Sequence, residues 1–103
     1  MTEMYDELRA LLDAGRPAAV ATIVRTRGST PREVGARMII EADGTSHGTV
    51  GGGCGEADVW AEAMEVLEEG RPRLIEVDLL HDQDPEGGRA CGGLMYVFIE
   101  PVS

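Results

Sequence analysis

A chain of 103 residues with a hydrophobic fraction of 43% makes one domain, whose core can form without disulfide or metal staples. Nineteen acidic against nine basic residues give a net charge of −10, which argues against a nucleic-acid or anionic-membrane binder, because phosphate surfaces demand a basic face. No apolar run approaches the roughly 18 residues that cross a bilayer, and the acidic start MTEMYDELRA has no signal-peptide apolar segment, so a cytoplasmic protein with reduced thiols is expected.

Residues 3–14 predict an amphipathic helix, with Met4, Leu8, Leu11 and Leu12 on one stripe, Thr2 as its cap, and Gly15 and Pro17 as its stop. AAVATIVRT (18–26) is β-branched and apolar, as a buried strand should be, and GSTPREVG (28–35) follows as a loop. ARMIIEADGTSHGTVG (36–51) predicts a hairpin turning at Asp43-Gly44. EADVWAEAMEVLEEG (56–70) predicts a second helix with Ala57, Trp60, Met64 and Leu67 facing the core and Gly70 closing it. RLIEVDLL (73–80) and LMYVFIE (94–100) are strands separated by a polar loop. The order α-β-β-β-α-β-β predicts an α+β fold: one compact domain, 1–103, with a sheet of about five strands and two helices packed on it.

Three glycine-rich stretches could hold chemistry. In RTRGSTPREVGARM (25–38), Arg25, Arg27, Arg32 and Arg37 fall within 13 residues and oppose the charge of the whole chain. Their forked donors, with the Ser29 and Thr30 hydroxyls, suit phosphate or carboxylate; a solvated surface loop is the plainer reading. In GTVGGGCGEADVW (48–60), Gly51, Gly52, Gly53 and Cys54 lead into the predicted helix, whose N-terminus offers N–H groups and a positive dipole to an anion or a thiolate. A tight turn with Cys54 as a small apolar filler is equally compatible with that stretch alone. RACGG (89–93) repeats the design around Cys91. The glycines do not fit GxGxxG, and a chain without lysine has no P-loop. No GxSxG is present, His47 and His81 read as surface residues, and the spacing of Cys54, Cys91 and the two histidines argues against a zinc site.

Taken together and in this order, ATIVRTRGSTPREVGARM (21–38), GTVGGGCGEADV (48–59) and ACGG (90–93), with the ADG turn and EGRPRL (69–74), resemble the N-terminal domain of the XdhC/CoxI family over almost the whole chain. The resemblance implies an accessory protein or chaperone of molybdenum hydroxylases, not an enzyme with its own substrate. Such a protein binds the molybdenum cofactor (molybdopterin) as cargo, assists its sulfuration with a cysteine desulfurase, and helps deliver it to a xanthine dehydrogenase-type apoenzyme. On this resemblance Cys54 matches the family cysteine and is the candidate molybdenum contact, while Cys91 matches a second cysteine. The Rossmann-like domain that often follows in the family is not in this sequence and is expected on a separate chain, or absent from a short form; a homodimer is left open. Gly55 stands where an apolar residue such as Val is expected, which predicts a looser backbone beside Cys54.

From another functional class, Cys54 and Cys91 could instead act as a redox or sulfur-transfer pair. An interaction module in which neither cysteine matters is a third reading.

Overall fold

In the computed structural model, which describes residues 2–28, 30, 32–50, 55–79 and 93–102, the elements follow the predicted order. They are α1 (Thr2–Asp13), β1 (Ala18–Arg27), β2 (Arg37–Glu41), β3 (Ser46–Gly48), α2 (Glu56–Glu69), β4 (Arg73–Asp78) and β5 (Leu94–Val102). The strands make one antiparallel sheet in the order β3-β2-β1-β5-β4, so the long β1 lies at its centre with the apolar β5 beside it. The expected α+β arrangement of two helices on a five-stranded sheet is what the chain adopts.

Strand alternation gives the sheet two unequal faces. The inner face carries the larger core: Ala19, Ala21 and Ile23 from β1, Met38 and Ile40 from β2, and Met95, Val97 and Ile99 from β5 pack against Val59, Ala63 and Val66 of α2. The outer face has a small cluster, in which Leu11 of α1 meets Ala18 and Ile39, with Leu8, Val20 and Val102 alongside. The two helices therefore lie on opposite faces.

The predicted stripe of α2 is displaced. Val59, Ala63 and Val66 are buried, whereas Ala57 is exposed and Trp60 remains 40% exposed. Trp60 turns aside because its indole Nε1–H donates to Gly44 O at 2.9 Å, which ties the helix to the hairpin turn. Met64 and Leu67 pack at the margin of the core. On α1, Leu11 is buried and Leu12 exposed, while the side chains of Thr2, Glu3 and Met4 lie outside the described residues.

The turn chemistry follows the sequence. Gly44 takes φ 95°, Thr45 N–H donates to Asp43 Oδ1 at 2.9 Å, and Glu41 N–H closes the hairpin on Thr45 O at 2.8 Å. Gly70 takes φ 73° and its N–H donates to Val66 O, ending α2 in the left-handed region that glycine enters without steric cost.

His47 is not the plain surface residue expected. It shares a 2.6 Å hydrogen bond through Nε2 with the carboxylate of Glu41, a residue only 8% exposed, which Arg16 also approaches at 3.1 Å. These side chains hold the α1–β1 connection to the hairpin.

One irregularity decides where the arginines point. Ile23 pairs with Val97 and Arg25 with Tyr96, so Val24 is an extra residue in β1. Continuous alternation would have put Arg25 on the inner face; the bulge turns it to the outer face, with Arg27 two residues on.

Candidate functional site

The three glycine-rich stretches leave or enter regular structure at one end of the sheet. Arg27 of β1, Leu94 of β5 and Asp78 of β4 form one row across three strands, and Gly28 carries the chain away from it. Beside that row, Leu79 N–H donates to Gly93 O at 2.9 Å, closing the base of the β4–β5 connection. Gly55, the first residue described after the GGGC stretch, packs against the same place. A Cβ built on it would lie 2.8 Å from Val77 Cγ1, 3.0 Å from Leu79 Cδ2 and 3.2 Å from Met95 Cε. Val50, on the other side of that stretch, is fully buried in the inner core.

The expectation of a loose backbone at Gly55 is therefore corrected. Its φ of 75° and the absence of room for a side chain make glycine a packing requirement here, and they fix the start of α2 against β4 and β5. Gly55 has no side chain with which to cap the first-turn N–H groups of α2. Glu56 and Asp58 in that turn partly offset the helix dipole.

The four arginines do not form one cluster. Arg25 lies on the outer face, its guanidinium carbon 5.7 Å from the Tyr96 ring centroid, a cation–π distance. Arg37, at the start of β2 opposite Thr22, is also on the outer face and already makes a contact of its own. Arg27 stands at the sheet end opposite Leu94, and Arg32 is exposed in the loop beyond, where its carbonyl accepts a 3.0 Å bond from Thr30 Oγ1. Arg27, at the last position of β1, and Arg32 in the loop beyond it are thus the two at the end where Gly55 and Gly93 meet Leu79, whereas Arg25 and Arg37 lie further back along the outer face, opposite Tyr96 and Thr22. Ser29, Gly51, Gly52, Gly53, Cys54 and Cys91 lie outside the described residues, as does His81.

The perturbed titrations are elsewhere. The Asp43 carboxyl is held below its usual range by the Thr45 backbone N–H, and the Arg73 guanidinium is raised by its hydrogen bond to Glu62. Arg73, on β4, also pairs with Glu69 at 2.8 Å and Glu65 at 3.6 Å, strapping α2 to the inner face. Among the described residues no three His, Cys, Asp or Glu side chains gather as a metal site. No helix among them is long and apolar enough to cross a membrane.

Two features escaped the sequence reading. Tyr96 is the partner of Arg25, and the alternation of Leu94, Tyr96 and Phe98 with Met95, Val97 and Ile99 was its available signal. The bulge at Val24 has no such signal.

Known proteins resemble this chain in sequence and in fold. The chain is 41% identical over 96 residues to YqeB of Escherichia coli K12, an uncharacterized protein, covering 93% of this chain and 18% of that one. It is 31% identical over its full length to a protein of Bacillus subtilis 168 named as a probable xanthine dehydrogenase subunit, of which it covers 32%. Over 62% of the chain it is 42% identical to the molybdenum cofactor insertion chaperone PaoD of E. coli K12, covering 20% of that protein. The chain thus spans between about a fifth and a third of the length of these relatives. A crystal structure of a xanthine dehydrogenase from Bacillus halodurans superposes with a TM-score of 0.79 at 36% identity, covering 95% of this chain and 30% of that one. The XdhC and CoxI family matches residues 11–78, which carry the arginine loop, the glycine run and α2, and the chain belongs to that family.

Proposed function

We propose that this domain holds the molybdenum cofactor as cargo and assists its insertion into a molybdenum hydroxylase of the xanthine dehydrogenase type. The observation that carries the reading is the meeting of Gly55 and Gly93 at Leu79, beside the strand end that carries Arg27. Such an end offers guanidinium and backbone N–H donors for the terminal phosphate of molybdopterin. The naming of PaoD as an insertion chaperone, and of the Bacillus subtilis relative as part of a xanthine dehydrogenase, supports the same cargo and client.

In this proposal Arg27, Arg32 and Ser29 receive the phosphate with Gly51, Gly52 and Gly53. Cys54, and with it Cys91, stands toward molybdenum or its exchangeable sulfur. Arg25 and Arg37, on the other side of the sheet, contribute to the field and not to direct contact. A cysteine desulfurase supplies the sulfur, the exchange takes place in the cytoplasm, and a Rossmann-like domain completes the functional unit.

Incubation with purified cofactor followed by gel filtration tests the reading: molybdenum and pterin should co-elute with the protein. Arg27→Ala/Arg32→Ala should lower affinity by about tenfold or more, as loss of charge-assisted bonds to phosphate implies. Cys54→Ala should release molybdenum sooner than pterin. No retention by the unaltered chain would overturn the reading.

The same junction also favours a second one. Gly55 follows Cys54 directly and Gly93 is two residues after Cys91, so Leu79 is a common neighbour of both glycine-rich segments. A thiol pair used for redox or sulfur transfer would show reversible disulfide formation and a Cys54 thiol that alkylates fast well below the ordinary pKa of about 8.5.

A further inference from the structure

We infer that the open part of the outer sheet face is a self-complementary surface that pairs this chain with a second copy of itself. Register places three rows on this face: Arg27–Leu94–Asp78, Arg25–Tyr96–Glu76 and Thr22–Phe98–Leu74, each reading from β1 through β5 to β4. The column on β1 is cationic, the column on β5 apolar and aromatic, and the column on β4 ends in two carboxylates. Among the described side chains, Leu8 and Leu11 of α1 cover the other end of the face, over Ala18, Val20 and Ile39. Beyond it apolar surface is exposed at Leu74, 61% exposed, and Val24, 46% exposed, with the half-buried rings of Tyr96 and Phe98 between them. Contiguous apolar surface flanked by charge marks an interaction site more often than scattered exposed side chains do.

The charge columns select the occupant. A two-fold axis running along β5, in the plane between two such faces, carries β1 of one copy over β4 of the other. Arg25 then stands against the partner's Glu76, and the aromatic columns meet at the axis. The perpendicular two-fold axis would set arginine over arginine and carboxylate over carboxylate, an arrangement that costs several kcal/mol. The favoured arrangement is an isologous contact of two aligned sheets, about 10 Å apart and rotated by roughly 30°. Three strands spaced about 4.8 Å and five to six residues at about 3.3 Å each give a patch on the order of 14 by 18 Å. That falls below the roughly 800 Å² per partner of a standard interface, so the pair should associate in the micromolar range.

The bulge gains a purpose here, since without it Arg25 would leave this face. Neither Arg25 nor Glu76 contacts the cofactor in the functional proposal above, so the two readings stand or fall separately.

Sedimentation velocity across a micromolar concentration series decides the matter. The unaltered chain should pass from one-chain to two-chain mass, and Arg25→Glu and Glu76→Arg should each raise the dissociation constant at least about tenfold. An equimolar mixture of these two variants should regain the dimer, because each then offers the sign that the other lacks. Leu74→Asp, at a position exposed in the single chain, should give monomers with an unchanged far-UV spectrum. A one-chain mass for the unaltered protein at every concentration, dimers unaffected by Leu74→Asp, or no recovery on mixing would overturn the inference.

Discussion

At Gly55 a backbone φ of 75° coincides with side chains of β4 and β5 standing where a Cβ would be. Left-handed backbone costs an L-residue roughly 1–2 kcal/mol, and overpacking adds about 1–3 kcal/mol, so Gly55→Ala should destabilise by about 2–5 kcal/mol. Urea denaturation measures this, and the midpoint should fall with the slope unchanged. Gly15 also has a positive φ, of 71°, but nothing within 4 Å of its would-be Cβ, so Gly15→Ala should show the backbone cost alone. At Asp43 the cause is electrostatic. Its carboxylate accepts the Thr45 N–H and sits 3.7 Å from Arg16, so its folded pKa is depressed. A depressed carboxyl contributes stability that is full above its unfolded pKa of about 3.9 and is lost as pH falls through the folded value. Asp43→Asn keeps an acceptor for Thr45 and should flatten that acid limb. Thermal melts from pH 6 down to about pH 2.5, spanning that ordinary carboxyl range, would register the difference.

At the scale of elements, the two helices are held by different means. α2 lies over Ala19 and Ala21, whose small side chains let it approach the sheet, and Arg73 ties its acidic face to β4. α1 rests on a three-residue cluster and on the polar group of Glu41, His47 and Arg16, with Glu7 of α1 itself 3.9 Å from His47. Removing the carboxylate leaves the His47 donor and Arg16 without their shared partner. Glu41→Ala should therefore cost about 1–3 kcal/mol. The loss should be local: hydrogen exchange should accelerate in α1 and the hairpin while α2 amides keep their protection. The element order was legible because Gly15, Asp43-Gly44 and Gly70 each sit at an observed turn or cap. The core stripe of α2 was not, because Val59-Ala63-Val66 and Ala57-Trp60-Met64-Leu67 have equivalent helical spacing. Only the hairpin, arriving from elsewhere in the chain to accept the Trp60 N–H, separates them. The helices' placement on opposite faces was equally hidden, since periodicity says which side of a helix is apolar but not which side of the sheet receives it.

For the molecule as a whole, the difference between the faces can be read at two adjacent residues of β5. Ile99 is fully buried on the inner face, where three strands and α2 close over it, whereas Phe98 lies half-buried on the outer face between Thr22 and Leu74. The same one-residue logic limits how far the site could be read in advance. The sequence shows four arginines near one glycine-rich loop, but a single extra residue at Val24 sends Arg25 to the face away from Gly55, and no pattern in ATIVRTR announces it. Each glycine-rich stretch was legible by itself, but the meeting of their flanks Gly55 and Gly93 at Leu79 was not, because it depends on how β4 and β5 pair. Ile99→Ala should cost about 2–5 kcal/mol, from lost burial plus the cavity left behind. At about 4–8 °C per kcal/mol for a domain near this size, its melting temperature should fall by at least about 8 °C. Phe98→Ser should shift the melt of the dilute single chain less than Ile99→Ala does, because part of the Phe98 surface already meets water in the single chain whereas Ile99 is fully enclosed. Its larger effect should be on pairing between copies, seen as a rise in the dissociation constant. Calorimetry on the two variants at low concentration, with sedimentation at high concentration, separates a face that makes the fold from one that the fold leaves available. Equal melting losses at the two positions would mean that the outer face is core after all.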